Sequence, residues 1–179
     1  GAVAYRVRAS FLPGPAKRVQ AKLDDLAMHT ISLSQGAVLE TGCVYVVPLL
    51  ESLALPPAIS GATNPKSSTG RLDVFTRVIA DGVAAFDQIP AGYQGPLYAE
   101  ICPQTFPIVV RKGSRLSQIR FRQGEAADTD AALADLHEAG DRVQAIQQEM
   151  RVDLRLQGLQ PRFRELRHEP RAAQFRLRR

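Results

Sequence analysis

The stretch that decides the fold is Gly95-Pro96-Leu97-Tyr98-Ala99-Glu100-Ile101, a short strand-forming run behind a glycine and a proline. Side chains of a β-strand point alternately to its two faces. Tyr98 and Glu100 are therefore predicted to share one face, and the apolar residues between and beside them share the other. An acid inside an apolar strand is either a solvated surface residue or, where its face lines a closed site, a candidate general base.

Short runs of β-forming residues also lie on both sides of this stretch, separated by turns such as Pro56-Pro57 and Lys112-Gly113. The predicted strands are 3–7, 30–33, 43–50, 72–79, 97–101, 108–110 and 116–121. Many short strands between turns are typical of a β-sandwich or barrel and not of alternating βα units. We therefore expect an all-β domain.

The pattern changes after the last predicted strand. Apolar residues between positions 133 and 146 fall at helical spacing, whereas the following chain is rich in arginine and interrupted by proline. We expect a β-domain at 1–124, a helix or linker at 125–150 and an Arg-rich tail at 151–179. The tail is interpreted either as a helical or disordered extension or as a docking arm for a partner.

The positive charge is concentrated at one end of the chain. The 179 residues have a formal net charge of +5 and a pI of 9.6. Residues 142–179 carry ten arginines against four acids, a net +6, while residues 1–141 carry 13 bases and 14 acids, a net −1. A near-neutral body argues against a groove for nucleic acid, although binding through the tail stays open as an alternative. A few bases at one site are still enough to hold a small polyanion.

Several function classes are excluded by missing motifs. No apolar run has the length of a membrane span, and the first residues do not form a signal peptide, so we expect a cytoplasmic protein without a membrane partner. Cys43 and Cys102 each lack a nearby second cysteine and the three histidines are isolated, so the motif of zinc deaminases is absent. A P-loop, a dinucleotide fingerprint and a Gly-x-Ser-x-Gly elbow are absent as well. We expect no zinc, and Mg²⁺ carried by a phosphate ligand if a metal takes part.

The run Asn64-Pro65-Lys66-Ser67-Ser68-Thr69-Gly70-Arg71-Leu72 places two bases around a series of hydroxyl side chains. In a structural interpretation, Ser67 or Ser68 caps a turn and Arg71 forms a surface pair. In a functional interpretation, Lys66 and Arg71 hold an anion that a serine hydroxyl orients. The residues alone leave both interpretations open.

Three motifs together resemble the dCTP deaminase and dUTP pyrophosphatase superfamily, and bacterial dCTP deaminases in particular. They are Lys66-Ser67-Ser68-Thr69-Gly70-Arg71-Leu72, the run at 86–100 and Gly113-Ser114-Arg115-Leu116-Ser117-Gln118-Ile119. Their order and spacing carry the resemblance. It covers about residues 1–124 and is closest to the N-terminal half of the long form that is built from two related domains.

The resemblance implies a fold, an assembly and a reaction. The fold is a distorted jelly-roll β-barrel of the dUTPase-like kind, and the assembly is a homotrimer with its sites between subunits. The reaction is hydrolytic deamination of dCTP to dUTP and ammonia, without zinc and with Mg²⁺ bound through the nucleotide triphosphate. Such an enzyme is a hydrolase that acts on a cyclic amidine C–N bond in pyrimidine deoxynucleotide metabolism.

The resemblance also assigns catalytic roles by position. Glu100 matches the general base that activates the attacking water. Ser67 and Arg71 match residues that position that water and the base and that stabilise the transition state from the neighbouring subunit. This assignment fits the chemistry, because a reaction without a metal needs a positioned base and prearranged hydrogen-bond donors.

Further positions match the family's substrate-binding residues. These are Lys66, Ser68, Ala80, Tyr98, Arg115 and Gln118. The resemblance implies that Lys66 and the motif around Arg115 approach the phosphates and that Tyr98 lies beside the pyrimidine and sugar. It makes Ala80 the candidate for a backbone contact to the oxyanion.

The chain departs from the family pattern in two places. Pro90 stands where the pyrophosphatase branch has an acid, which counts against a dUTP pyrophosphatase, although this activity stays an alternative. A non-catalytic half of a two-domain deaminase, serving trimer assembly, is the other alternative. The family's first strand would precede Gly1 and its C-terminal lid has no match, so we expect a fragment. A faint similarity of residues 151–156 to that first strand is attributed to chance.

Overall fold

Residues 2–123 and 150–155 are described by the computed structural model, and they form mostly β-strands. The elements are β1 (Val3–Val7), α1 (Val19–Leu26), β2 (Ala27–Ser32), β3 (Ala37–Leu39), β4 (Val44–Ala54), β5 (Ile59–Pro65), α2 (Ser67–Arg71), β6 (Val74–Ala80), β7 (Gln88–Ile89), β8 (Gln94–Pro103), β9 (Ile108–Val110), β10 (Arg115–Gln123) and β11 (Met150–Arg155). The all-β class expected from the sequence is confirmed. Within the described part of the chain, neither helix is long and apolar enough to cross a bilayer.

The strands form three antiparallel sheets. The largest has the order β2-β1-β4-β8-β6, the second has the order β11-β10-β5-β7, and β3 pairs with β9 in a small third sheet. One apolar core receives side chains from all three sheets, including Val47 of β4, Val78 of β6, Ile119 of β10 and Val110 of β9. The two large sheets therefore face each other across a common interior.

A second apolar cluster lies on the other face of the five-stranded sheet. It contains Val46, Ile79 and Tyr98 from the sheet and Val19 and Leu23 from α1. Because strand residues alternate between faces, each central strand of this sheet supplies the barrel core with one set of side chains and the outer cluster with the other. Helix α1 covers the outer set and keeps it from water.

Sequence reasoning located most strands and missed several elements. The strand expected at 72–79 begins at Val74, because the preceding residues form α2. Strand β5 was missed because it contains Gly61 and ends in Pro65, residues that disfavour strands. Gly61 packs closely there, since a Cβ atom would lie 3.1 Å from Cδ1 of Ile119 on the paired strand β10, and a larger residue would require the Ile119 side chain to shift.

Strand β11 corrects the expectation for the C-terminal part. We expected residues beyond 150 to be helical or disordered, and this is wrong for Met150–Arg155, which pairs antiparallel with β10. Leu154 is 1% exposed and packs in the apolar core. In the sequence it lies between charged residues, and this two-residue alternation is typical of a strand with one buried face. Burial of Leu154 therefore explains why this segment pairs with β10. The helix expected at 125–150 and the tail beyond 155 lie outside the described residues.

Asp87, in the turn before β7, links strands β5 and β6. Its Oδ1 accepts hydrogen bonds from the hydroxyl of Thr63 on β5 at 2.6 Å and from the backbone N–H of Val78 on β6 at 2.8 Å. Its own backbone lies at φ 60°, in the left-handed region that most residues avoid. Burial raises the pKa of this carboxyl above its usual range, and the two hydrogen bonds only partly offset that rise.

We expect Leu154→Ala to lower the free energy of unfolding by about 2–5 kcal/mol, because the truncation leaves a cavity in the core. The control is Leu72→Ala, which makes the same truncation at a side chain that is 52% exposed. Urea titrations followed by circular dichroism measure both. Equal, small effects of the two variants would show that β11 does not contribute to the core.

We expect Asp87→Asn to be neutral or stabilising at pH 7, because asparagine keeps the acceptor oxygen, tolerates positive φ and carries no buried charge. The folded carboxyl binds its proton more tightly than the unfolded one, so wild-type stability falls as pH rises above the ordinary carboxyl range. The advantage of the variant should therefore grow between about pH 4 and pH 7.

Two further substitutions of Asp87 separate the hydrogen bonds from the backbone strain. Asp87→Ala loses both hydrogen bonds and keeps the positive φ, and we expect it to cost about 1–3 kcal/mol or more. Asp87→Gly loses the same bonds without the strain. Denaturant titrations in which Asp87→Ala, which keeps the strain, matches the wild type would contradict a structural role for the two hydrogen bonds.

Candidate active site

Glu100 is a buried acid on the outer face of the five-stranded sheet. Leu97, Ala99 and Ile101 of β8 point into the barrel core, whereas Tyr98 belongs to the outer cluster, as the alternation predicted. Glu100 is only 1% exposed. The interpretation as a solvated surface residue is therefore wrong. A carboxylate removed from water needs hydrogen-bond partners, and its neighbours supply them.

Arg77 and Ser10 bind this carboxylate. Arg77 lies directly opposite Glu100 in the β6–β8 register, and its Nε and Nη2 atoms donate to Oε1 at 3.0 and 2.7 Å. The Ser10 hydroxyl donates to Oε2 at 2.7 Å, and Arg77 Nη2 also donates to Ser10 Oγ at 2.8 Å. The three side chains form a closed hydrogen-bonded ring in which each oxygen of the carboxylate has at least one donor.

Two aromatic rings hold the Arg77 side chain. Its guanidinium carbon lies 3.6 Å from the ring centroid of Phe86 and 4.7 Å from that of Phe75. A cation over an aromatic face is attracted by the quadrupole of the ring. The guanidinium is therefore fixed on two sides by rings and on a third side by the carboxylate of Glu100.

Helix α1 and the loop before it cover the outer face of the five-stranded sheet around Glu100. Asp81, in the turn after β6, accepts a hydrogen bond from the backbone N–H of Val19 at 2.7 Å. The helix lacks a side-chain cap from its own N-cap residue, Arg18, so this distant carboxylate serves the first turn instead. The backbone N–H groups of Gly14 and Gly82 make further bonds between the same two loops, to Val83 and Lys17 respectively.

Tyr98 is buried beside Glu100 in the chain, on the same face. Burial raises the pKa of its phenol, and the negative charge of Asp81 and the phenol of Tyr5 raise it further. Its hydroxyl is therefore protonated at neutral pH. Ala80, at the end of the edge strand β6, is fully buried in the barrel core and pairs with Leu97.

The remaining predicted site residues form a second group, around α2 and the start of β10. The backbone N–H of Lys66 donates to the carbonyl of Leu116 at 2.9 Å, and the hydroxyl of Thr69 donates to the same carbonyl at 2.9 Å. These bonds place Lys66 beside the strand that carries Arg115 and Gln118. Ser67, Ser68 and Arg71 are exposed on α2. No side chain caps this helix, so the interpretation of a serine as its cap is wrong.

The two groups lie apart in a single chain. No hydrogen bond or ion pair within the described part of the chain joins Ser67 or Arg71 to Glu100. Arg71 ends α2 before β6 begins at Val74, and Arg77, the partner of Glu100, lies about 10 Å beyond Val74 along that strand. The structure therefore places Lys66, Ser67, Ser68, Arg71, Arg115 and Gln118 on α2 and the adjoining part of β10, and Tyr98 and Glu100 on the outer face of the five-stranded sheet, whereas Ala80 belongs to the interior core.

Sequence reasoning missed Arg77 and Ser10. Neither belongs to the three motifs, and an arginine in a strand is usually a surface residue. The β6–β8 register places Arg77 opposite Glu100, and that register becomes known only once the strands are paired. Ser10 reaches the carboxylate across 90 positions of sequence, so no local pattern indicates it.

Comparison with known proteins identifies the family. The family described as "2'-deoxycytidine 5'-triphosphate deaminase (DCD) N-terminal domain" matches residues 1–125. The chain belongs to this family. A dCTP deaminase of Shewanella amazonensis is 30% identical over 115 residues, which are 63% of this chain and 56% of that protein.

A solved structure of the family has the same fold. The crystal structure of 2'-deoxycytidine 5'-triphosphate deaminase from Agrobacterium tumefaciens is similar with a TM-score of 0.68 and 65% sequence identity. The match covers 78% of this chain and 42% of that one. The dUTPase-like all-β fold expected from the sequence is thus confirmed, and the chain spans about half the length of the dCTP deaminases it matches.

We expect Asp81→Ala to loosen α1, which covers the outer cluster. The N–H of Val19 loses its acceptor, and the loss of such a cap costs about 1 kcal/mol. Asp81→Asn keeps an acceptor oxygen and should recover part of the loss. Amide hydrogen exchange across α1 measures both variants.

The control for this prediction is Asp24→Ala. Asp24 lies on the same helix and accepts an exposed hydrogen bond from Gln20. Asp24→Ala also replaces an aspartate with alanine, but it leaves the hydrogen bond between Val19 and Asp81 in place. Faster exchange of the α1 amides in the Asp24 variant than in Asp81→Ala would contradict the role of Asp81.

Proposed function

We propose that this chain provides the catalytic domain of a dCTP deaminase, which hydrolyses dCTP to dUTP and ammonia. The observation that carries the proposal is the buried, hydrogen-bonded Glu100, at the position where the family resemblance places a general base. Membership of the dCTP deaminase family supports it. Because the chain spans only part of its relatives, the activity of the whole enzyme is part of the same proposal.

The proposed chemistry needs a base and an environment that stabilises charge. Glu100 takes a proton from a water molecule, the water oxygen forms a bond to C4 of cytosine, and the electrons of the C4=N3 double bond move to N3. Glu100 then returns the proton to the amino group, the bond from C4 to the amino nitrogen breaks and ammonia departs. The remaining hydroxyl proton moves to N3 as the C4 carbonyl of dUTP forms. Ser67 and Arg71 orient the water and stabilise the charge that develops on the ring. No zinc is needed in this scheme.

We propose that the site is completed between subunits of a homotrimer. The separation of Ser67 and Arg71 from Glu100 in one chain supports this arrangement. Two copies would bring the α2 group of one to the Glu100 group of the other. Lys66 and Arg115, which lie on adjoining segments, would bind the triphosphate, with Ser68 and Gln118 beside them. Mg²⁺ would be carried by the triphosphate oxygens, which are the hard ligands it prefers.

The test of the activity is ammonia release from dCTP in the presence of Mg²⁺. We expect Glu100→Gln to reduce turnover by at least about 10²-fold, because glutamine cannot accept the proton. Glu40→Gln is the matched control, since Glu40 is an exposed acid outside the site. Chelation by EDTA should also suppress turnover. Wild-type turnover in Glu100→Gln would remove Glu100 from the catalytic role.

The test of the shared site is complementation between inactive variants. Glu100→Gln and Arg71→Ala are prepared separately, then mixed under conditions that exchange subunits. If each site takes Glu100 from one subunit and Arg71 from another, some mixed sites contain both native residues and activity returns. A mixture that stays inactive although mass measurements show mixed trimers would place both residues in one subunit.

A second candidate function is a non-catalytic half that supports assembly. It is favoured by one observation: both oxygens of Glu100 already have donors from the same chain. It predicts binding of dCTP without turnover. The dUTP pyrophosphatase alternative predicts pyrophosphate release from dUTP, and Pro90 at the position of the family's acid counts against it.

A further inference from the structure

The two carboxylate oxygens of Glu100 accept different numbers of hydrogen bonds. An ionised carboxylate has about four lone-pair positions, two on each oxygen. Oε1 accepts two bonds, both from Arg77, and is saturated. Oε2 accepts one bond, from Ser10, and keeps one free position. Any proton that reaches this carboxylate without disrupting the ring must therefore arrive at Oε2.

Neighbouring contacts hold the hydrogen-bonded ring of Arg77, Ser10 and Glu100 in place, so the difference between the two oxygens of Glu100 persists. Arg77 cannot rotate freely, because the rings of Phe75 and Phe86 flank its guanidinium. Ser10 is fixed at both ends, since its oxygen accepts a bond from Arg77 while its proton is donated to Glu100. The orientation of the Glu100 carboxylate is thus set by two residues that belong to none of the family motifs.

We propose that Arg77 and Ser10 are positioning residues that fix Glu100 with Oε2 directed toward the reacting water. This inference rests on the proposed deaminase function. Neither residue touches the substrate in this assignment: Arg77 saturates Oε1, and Ser10 sets the direction of the free lone pair on Oε2. The water donates its proton to Oε2, its oxygen forms the bond to C4, and the same proton later leaves on the amino group.

The ion pair between Arg77 and Glu100 is poorly explained by a contribution to stability alone. Burying two charges costs desolvation energy that the attraction between them often fails to exceed, so a buried pair is weak evidence for stability. Orientation of a base is a different benefit, because a displacement of about 1 Å in a catalytic group can lower turnover by about 10²-fold. The two roles differ in what they predict for kinetics.

Three variants separate charge from geometry. Arg77→Met removes the cation and keeps an unbranched side chain between the two rings. We expect kcat for dCTP to fall by about 10²-fold with little change in KM. A larger change in KM than in kcat would instead indicate a role of Arg77 in substrate binding.

The other two variants make smaller changes. Arg77→Lys keeps the charge without the planar fork, so it should restore only part of the kcat that is lost in Arg77→Met. Ser10→Ala removes two hydrogen bonds to charged groups, one donated to Glu100 and one accepted from Arg77, and we expect a loss of about tenfold in kcat. Both remain informative if Arg77→Met fails to fold. The control is Arg6→Met, which breaks the 3.3 Å ion pair with Glu40 outside the site and should leave the kinetics unchanged.

A measurement independent of activity distinguishes failure of this inference from failure of the proposed function. In protein labelled with ¹³C at glutamate carboxyls, the signal that disappears in Glu100→Gln identifies Glu100. Its carboxyl chemical shift should change in Arg77→Met, which removes both donors to Oε1, and should change less in Arg77→Lys, which keeps a cation at that position. If the wild type releases no ammonia, the function fails even though this shift is present.

Two results would overturn the inference while the function stands. One is a normal kcat of a folded Arg77→Met and of Ser10→Ala in a chain that deaminates dCTP. The other is an unchanged carboxyl chemical shift of Glu100 in Arg77→Met, since the pair would then not exist in solution.

Discussion

Hydrogen bonding of β8 to β4 on one side and to β6 on the other determines the positions of the site residues. The register aligns Val46, Glu100 and Arg77 in one row across the sheet. Because alternation sends the neighbours of Glu100 into the barrel core, the acid is held on the outer face by the apolar residues beside it. A slip of one residue in this register would exchange the two faces and place the carboxylate among the core side chains.

The outer face of the five-stranded sheet is covered by two consecutive segments of the chain, and this cover encloses Glu100. Helix α1 packs Val19 and Leu23 over the sheet, and the loop before it brings Ser10 to the carboxylate. The turn after β6 holds the helix through Asp81 and the strands through Asp87. Both acids act through hydrogen bonds to backbone N–H groups. These three carboxylates therefore have different tasks, and Glu100 is the one of the three that forms an ion pair within the described residues.

The parts of this structure that sequence predicts are those set by local pattern. Alternation located the strand with Tyr98 and Glu100, and turn residues bounded most of the others. The family motifs indicated the residues of the α2 group, but they did not indicate their positions relative to Glu100. Contacts between distant segments were not predictable in this way. Arg77 opposite Glu100 depends on strand register, Ser10 depends on a loop that crosses the sheet, and Leu154 in the core depends on the return of the chain to β10.

The late position of β11 has a consequence for synthesis of the protein. Strand β10 ends at Gln123 and its partner begins at Met150, so the ribosome must add about 30 residues before the outer strand exists. At 5–20 residues per second this takes roughly 2–6 s. During that time the nascent barrel presents the backbone of β10 as an open edge. Among the described strands of this sheet, β11 comes last in the chain, and its pairing covers the edge of β10.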